Sequence, residues 1–346
     1  MKLLLGIESS CDDTSAAVVS EEGRVLSNVL ANQDEIHAPY GGVVPELASR
    51  QHLTALPVVV ERALSEAGAT LEDITGIAVT NGPGLLGSLL VGLSYAKALA
   101  WALSIEITAV NHVEAHLSSA WIERPELSYP ALGLVVSGGH SHLYSCNTRE
   151  ETFLVAGTRD DAAGEALDKL AKRLHLPYPG GPVIDRLAER GDPSAVPFSL
   201  PKMSGGSLDY SFSGIKTAAL FYMRKNGLEP ERDASPEELP QWEYDLIASY
   251  RKRVVDHLIQ RLKKAALLLK PASMVMGGGV ARNSLLRKRF LELGEYLEIP
   301  AFFPSNTLCS DNAAMIAFKA LTLKPAPDCG ASLDAFPVAR WRRLAF

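Results

Sequence analysis

Two histidines four residues apart, His112 and His116 in the run Asn111-His112-Val113-Glu114-Ala115-His116, follow the apolar stretch Ile105 to Val110. On a helix that spacing puts both imidazoles on one face. Such a pair can bind a transition metal, and a third protein ligand would leave positions open for substrate. A bare H-x-x-x-H among eight histidines is more often a pair of surface side chains, so support must come from the rest of the chain. The zinc-protease pattern H-E-x-x-H places its general base directly after the first histidine. Here Glu114 comes second, roughly 200° round a helix from His112, and points away from a metal on that face.

The other chemistry-bearing stretches are turns. Ser137-Gly138-Gly139-His140 lies between the apolar run Ala131 to Val136 and the run Ser141 to Cys146. Its glycines either cradle an anion on backbone N–H groups or simply make a tight hairpin. Glu8-Ser9-Ser10-Cys11-Asp12-Asp13 occupies the same place between Leu3–Ile7 and Ala16–Ser20, as an Asx-type turn or a polar functional tip. Gly277-Gly278-Gly279 follows the apolar run Ser273–Met276 and precedes Asn283 and a helix over Ser284–Leu297, the place where α/β proteins receive nucleotides. Capping explains Asp160 and Asp161 at a helix start, but not Asp168, deeper in that helix. Tyr178-Pro179-Gly180-Gly181-Pro182 turns into the helix carrying Asp185, and Ser207 to Lys216 is either a substrate-facing loop or an N-cap. Asp311 stands where a helix N-cap is expected; as a third ligand it would instead complete the two histidines.

Positioning these turns takes two similar sets of elements. Strand, polar tip and strand occur twice, each followed by a further strand (Val25–Asn32, Thr152–Ala156) and then helices, which predicts two related halves with a ligand in the cleft between them. The small residues Gly87, Gly92 and Ala96 suit close packing of a helix over Leu85–Trp101, and Pro57 predicts a kink or break in the helix that runs into Val58–Ala67. The helix from Gln241 to Lys270 carries Arg251, Lys252, Arg253, Arg261, Lys263 and Lys264. That is either a solvated face or a patch for an RNA backbone, which Arg340-Trp341-Arg342-Arg343 would extend.

At 346 residues, 47% hydrophobic and 21% charged, the chain is long and apolar enough for about two domains and is not disordered. Cys11, Cys146, Cys309 and Cys329 form no C-x-x-C pair, which excludes a zinc ribbon or disulfide framework. No apolar run reaches the roughly 18 residues of a membrane span, and Leu3-Leu4-Leu5 is too short for a signal peptide. A cytoplasmic protein without a membrane is expected. The net charge of −6 opposes non-specific nucleic-acid binding but allows a local basic face.

Taken together, Gly6 to Asp12, Tyr40 to Arg50, Asn81 to Gly84, Asn111 to His116, Val135 to His140, Asp160 to Lys169, Tyr178 to Pro182, Ser211 to Thr217, Gly277 to Asn283 and Asp311-Asn312 resemble the bacterial tRNA N6-adenosine threonylcarbamoyltransferase (TsaD) family, formerly called O-sialoglycoprotein endopeptidases. The matches run in order from the start of the chain to about Ala320. The resemblance implies an α/β, actin-like, Hsp70/sugar-kinase (ASKHA) fold of two duplicated lobes, over residues 1–125 and 126–346. It implies a divalent metal, iron or else zinc, at His112, His116 and Asp311. It carries substrate-binding positions over to Val135, Val136, Ser137, Gly138, Gly139, Asp168, Gly181, Asp185 and Asn283, and a residue important for activity to Asp12. Ser9, Asp13 and Glu106 depart from the commoner Thr, Glu and Pro of relatives.

The implied reaction transfers threonylcarbamoyl from L-threonylcarbamoyl-AMP to N6 of adenosine 37 in tRNAs reading codons that begin with A, releasing AMP. The implied partners are tRNA, an inactive paralogue of the same fold in a heterodimer, and a small P-loop ATPase. A small-molecule kinase would share the fold, but its Mg-ATP site would use carboxylates and water in place of two histidines. A metalloprotease is opposed by the position of Glu114. An ATP-binding assembly subunit without activity is the remaining reading.

Overall fold

The computed structural model describes residues 2–201, 206–230, 236 and 238–323; the stretch Arg340-Trp341-Arg342-Arg343 lies outside the described residues. The chain forms two compact units. The first takes the chain up to Leu127, the short segment Thr148–Thr152, and the chain again from Pro304; the second takes Ser128–Asn147 and Phe153–Phe303.

Numbered in chain order, the first unit holds β1 (Leu3–Glu8), β2 (Thr14–Ser20), β3 (Val25–Ala31), α1 (Asp34–His37), α2 (Pro45–Ala67), β4 (Ile74–Gly82), α3 (Leu86–Leu103), β5 (Glu106–Asn111) and α4 (His112–Glu123). Its sheet order is β3-β2-β1-β4-β5, with β1, β2 and β3 antiparallel neighbours and β1, β4 and β5 parallel. The second unit holds β6 (Ala131–Val136), β7 (Ser141–Cys146), β8 (Thr152–Ala156), α5 (Ala163–Arg173), α6 (Gly180–Leu187), α7 (Ser213–Lys225), α8 (Gln241–Leu269), β9 (Ser273–Gly277), α9 (Ser284–Leu297) and β10 (Ala301–Phe302). Its order, β8-β7-β6-β9-β10, repeats the first sheet strand for strand, with β6 antiparallel to β7 and parallel to β9. Two related halves, expected from the twin hairpins, are what the topology shows. α10 (Asn306–Cys309) and α11 (Ala313–Ala320) return to the first unit.

Period-two patterning explains how helices cover both faces of the first sheet. Ile7, Val18 and Ile77 pack with Leu56, Val60 and Leu93 from α2 and α3. Between them in sequence, Ala17, Val19 and Ala78 face Ala313, Ala317 and Ile316 of α11. The α11 side is lined by small residues because the helix lies close: a Cβ at Gly6 would overlap the Ala313 carbonyl. The close packing expected of α3 is also found, since a Cβ at Gly92 would overlap the Ser9 hydroxyl and one at Gly87 the Ser49 hydroxyl.

Three expectations change. The break allowed at Pro57 is not found: α2 runs from Pro45 to Ala67 with Pro57 inside it, and its buried neighbours Leu56, Val59 and Val60 hold it on the sheet although Pro57 contributes no N–H. α3, at 18 residues, is long and apolar enough by length and composition to cross a membrane, Lys97 notwithstanding; Leu89, Leu93, Ala96 and Ala100 bury one of its faces in the unit. α8 does not present its arginines as one solvated face. Arg251 and Arg261 are only 6% and 4% exposed, the first bound to Asp185 and Glu189 and the second to the Ser207 and Pro201 carbonyls.

Candidate functional site

β5 delivers the histidine pair. Its last residue, Asn111, caps α4 by accepting hydrogen bonds from Val113 N and Glu114 N at 3.0 and 3.2 Å, so the helix begins at His112. His112 and His116 then lie on one buried face, their rings 4.7 Å apart. Asp311 meets them: its Oδ1 is 3.0 Å from His116 Nε2 and 3.5 Å from His112 Nε2. One ligand atom from each of the three residues lies within 4.8 Å of the others. The cap of α11 is Asn312, whose side chain accepts from Met315 N at 2.9 Å, so Asp311 is not used as the cap its sequence position suggested.

His116 is buried, its Nδ1 without a hydrogen-bond partner and its Nε2 facing Asp311 Oδ1 at 3.0 Å. Two buried imidazoles that turn Nε2 toward one carboxylate oxygen are the donor set of a cation bound by two histidines and one carboxylate. The residues present therefore fit a divalent metal. Burial works against a charged His112, but the Glu8 and Asp311 carboxylates outweigh it and hold the ring's pKa up at about 9. A metal must displace the Nε2 proton, so affinity should rise by about tenfold per pH unit from neutral pH and level off near 9. Chelator competition across that range checks this, and a flat affinity contradicts it.

Glu114 is turned toward the buried Lys319, with Oε2 3.5 Å from Nζ, and Lys319 also donates to the Arg149 carbonyl. It is not placed as a general base beside the histidines. Glu8, which the sequence did not single out as a site residue, is fully buried with an oxygen 2.9 Å from His112 Nδ1. His52 was also missed. Its Nε2 donates to the Cys11 carbonyl at 3.0 Å and its Nδ1 accepts from Thr14 Oγ1 at 2.7 Å, pinning the tip that carries Asp12. Burial lowers the His52 pKa, which keeps that ring neutral and able to make both bonds. Burial also raises Asp12, and raises Asp13 to about 8 with help from Asp311 and Asp12.

In the second unit, Val135 and Val136 end β6 with buried side chains, and Ser137 N donates to the His140 carbonyl at 2.8 Å to close the hairpin. Gly138 and Gly139 are exposed, with open space where a Cβ would stand. α5 abuts this tip: Gly164 N and Glu165 N donate to the Ser137 and Gly138 carbonyls, and a Cβ at Gly164 would collide with Ser137 and Gly138. Asp160 and Asp161 do not cap α5. Asp160 accepts from Phe212 N and both nearby serine hydroxyls at the start of α7, and Asp161 bridges Lys169 and Lys216.

Asp168 Oδ1 accepts from Gly180 N at 2.9 Å and Gly181 N at 3.1 Å, so it fixes the turn that presents Gly181. Asp185 and Asn283 come together directly, Asn283 Nδ2 donating to Asp185 Oδ1 at 2.7 Å. That oxygen also accepts from Arg251 and from the Ser284 hydroxyl, while Oδ2 accepts from Ser284 N. Gly278, at φ +93, lets the turn after β9 pass over the Val136 carbonyl, where a Cβ would collide.

The family model described as tRNA N6-adenosine threonylcarbamoyltransferase matches residues 24–318. The chain is 49% identical over 315 residues to the tRNA N6-adenosine threonylcarbamoyltransferase of Geotalea uraniireducens, covering 91% of this chain and 89% of that one. Among solved structures it is similar to HypF from T. kodakarensis, with TM-score 0.58 at 14% identity over 93% of this chain and 47% of that one. It is also similar to component A of the Acidaminococcus fermentans (R)-2-hydroxyglutaryl-CoA dehydratase, with TM-score 0.53 at 15% identity over 93% and 100%. With the twin sheets, these likenesses show the two-lobed actin-like fold.

Proposed function

The chain belongs to the tRNA N6-adenosine threonylcarbamoyltransferase family, and on that premise we propose that it transfers the threonylcarbamoyl group of L-threonylcarbamoyl-AMP to N6 of adenosine 37 in tRNAs reading codons that begin with A. It is a transferase acting on tRNA. Beyond family membership, the observation that carries this reading is the convergence of His112, His116 and Asp311 with Glu114 turned away to Lys319. That favours metal-assisted acyl transfer over proteolysis.

An exocyclic adenine amine is a weak nucleophile, so the acyl group must arrive activated, as it is in a mixed anhydride with AMP. The N6–carbon bond forms, the carbon–oxygen bond to phosphate breaks, and AMP leaves. In this reading Asp12 takes the proton lost from N6, a role supported by the upward push that burial gives its carboxyl. The open backbone of Gly138 and Gly139 receives phosphate, with Val135, Val136 and Ser137 setting the tip. Gly181, presented by Asp168, and Asp185 Oδ2, held beside Asn283, receive the ribose. Bound at His112, His116 and Asp311, Fe(2+), or else Zn(2+), supplies Lewis-acid polarisation of an acyl or phosphoryl oxygen. Positioning accounts for much of the remaining rate.

An inactive paralogue of the same fold and a small P-loop ATPase are the proposed partners, in the cytoplasm where tRNA is modified. A protein partner is supported by α2 and α3, which leave Leu53, Val58, Leu86, Leu90 and Trp101 exposed. The test supplies threonylcarbamoyl-AMP, these partners and a tRNA transcript carrying adenosine or guanosine at position 37. Modified nucleoside should appear by mass spectrometry only with adenosine, matched by AMP. Equal product from both transcripts would overturn the proposed acceptor.

A further inference from the structure

Glu8 ends β1 and is fully buried. A carboxylate removed from water needs partners, and three are present. Thr80 Oγ1, from β4, donates to Oε2 at 2.5 Å. His112 Nδ1, from α4, lies 2.9 Å from the same oxygen. Ser10 N, from the hairpin tip, donates to Oε1 at 2.6 Å. Neither oxygen of Glu8 belongs to the group formed by His112, His116 and Asp311, so the carboxylate stands behind the ring and not among the candidate ligands. His112 Nε2, on the other side of the ring, is the nitrogen turned toward Asp311.

We propose that Glu8 is a positioning residue of the metal centre. It keeps the hydrogen of His112 on Nδ1, so the lone pair of Nε2 faces the cation, and through Ser10 it ties the ring to the tip carrying Asp12. This rests on reading His112, His116 and Asp311 as metal ligands. A carboxylate behind a metal-bound imidazole fixes both its orientation and its tautomer. Glutamine keeps the size of the side chain but cannot keep all three contacts. An amide nitrogen facing His112 Nδ1 would donate to it and leave the hydrogen on Nε2, the wrong nitrogen for a ligand. Turned the other way, the amide would face Ser10 N donor to donor.

The experiment uses Co(II) alone as probe with the full chain, measuring affinity by chelator competition together with the visible absorption of the bound ion. Wild type should take up Co(II). Glu8→Gln should bind it about 10- to 100-fold more weakly, with a shifted absorption band because the ring and its tautomer change. Thr80→Val, close in volume and more tolerable to the fold, should weaken binding in the same direction by less than about tenfold. Wild type that binds alongside a Glu8→Gln protein of equal affinity and identical spectrum would overturn the role of Glu8 and leave the ligand assignment standing. Should Glu8→Gln not fold, unchanged affinity and spectrum in Thr80→Val would overturn it equally. A wild type that takes up no Co(II) would overturn the ligand assignment itself, and this inference with it.

Discussion

Replacing His116 with alanine should remove the bound metal and lower threonylcarbamoyl transfer by about 100- to 1,000-fold, since Lewis-acid assistance is worth several kcal/mol at about 1.4 kcal/mol per tenfold. The folded chain should survive. His116 faces Asp311 at 3.0 Å, so the substitution removes that contact together with packing beside His112 and along α4. His112 differs, since its loss would also take one of three partners from the buried Glu8 carboxylate. Metal content, circular dichroism and transfer rate measured on one preparation make the comparison. A folded His116→Ala protein with undiminished transfer would remove the residue from the reaction.

The second large effect is on stability. Arg251 Nη1 lies 2.9 Å from Asp185 Oδ1, 3.0 Å from the Asp185 carbonyl and 2.7 Å from Glu189 Oε1. Arg251→Met deletes the cation and leaves the Asp185 carboxylate, itself mostly buried, without its charged partner. Breaking a buried pair on one side costs about 3–5 kcal/mol; the exposure of Glu189 puts this case at the lower end, about 3 kcal/mol. Lys252, one residue on, pairs with Asp256 near the surface, and Lys252→Ala should cost less than about 1 kcal/mol. Urea denaturation of the two variants decides it, and equal midpoints would contradict the structure of this network. Charge reversal at Arg251 would likewise report on folding before it reported on RNA.

What the sequence made legible was local. Hydrophobic alternation and glycine-bearing tips revealed the twin hairpins, and the spacing of His112 and His116 revealed a shared face, because both signals need only a few neighbouring residues. Long-range choices were hidden. Asp311 and Asn312 are equally good caps by type, and only the packing of α11 on the first sheet assigns the cap to Asn312 and turns Asp311 to the histidines. Asp160 looked like a cap for the helix that follows it, yet it caps α7, fifty-three residues further on at Ser213. Glu8 closes an apolar strand, and its partner His112 is 104 residues away. Counting charges on α8 could not distinguish Arg251 and Arg261, which are buried on internal acceptors, from the lysines beside them.

Metal-dependent acyl transfer is tested most directly with threonylcarbamoyl-AMP labelled in its carbamoyl carbon, supplied with tRNA and the partner proteins, before and after chelation and after Fe(2+) or Zn(2+) is restored. Label should appear in the adenosine of the tRNA, be lost on chelation and return with metal. Undiminished labelling by a protein shown to be metal-free would contradict metal dependence.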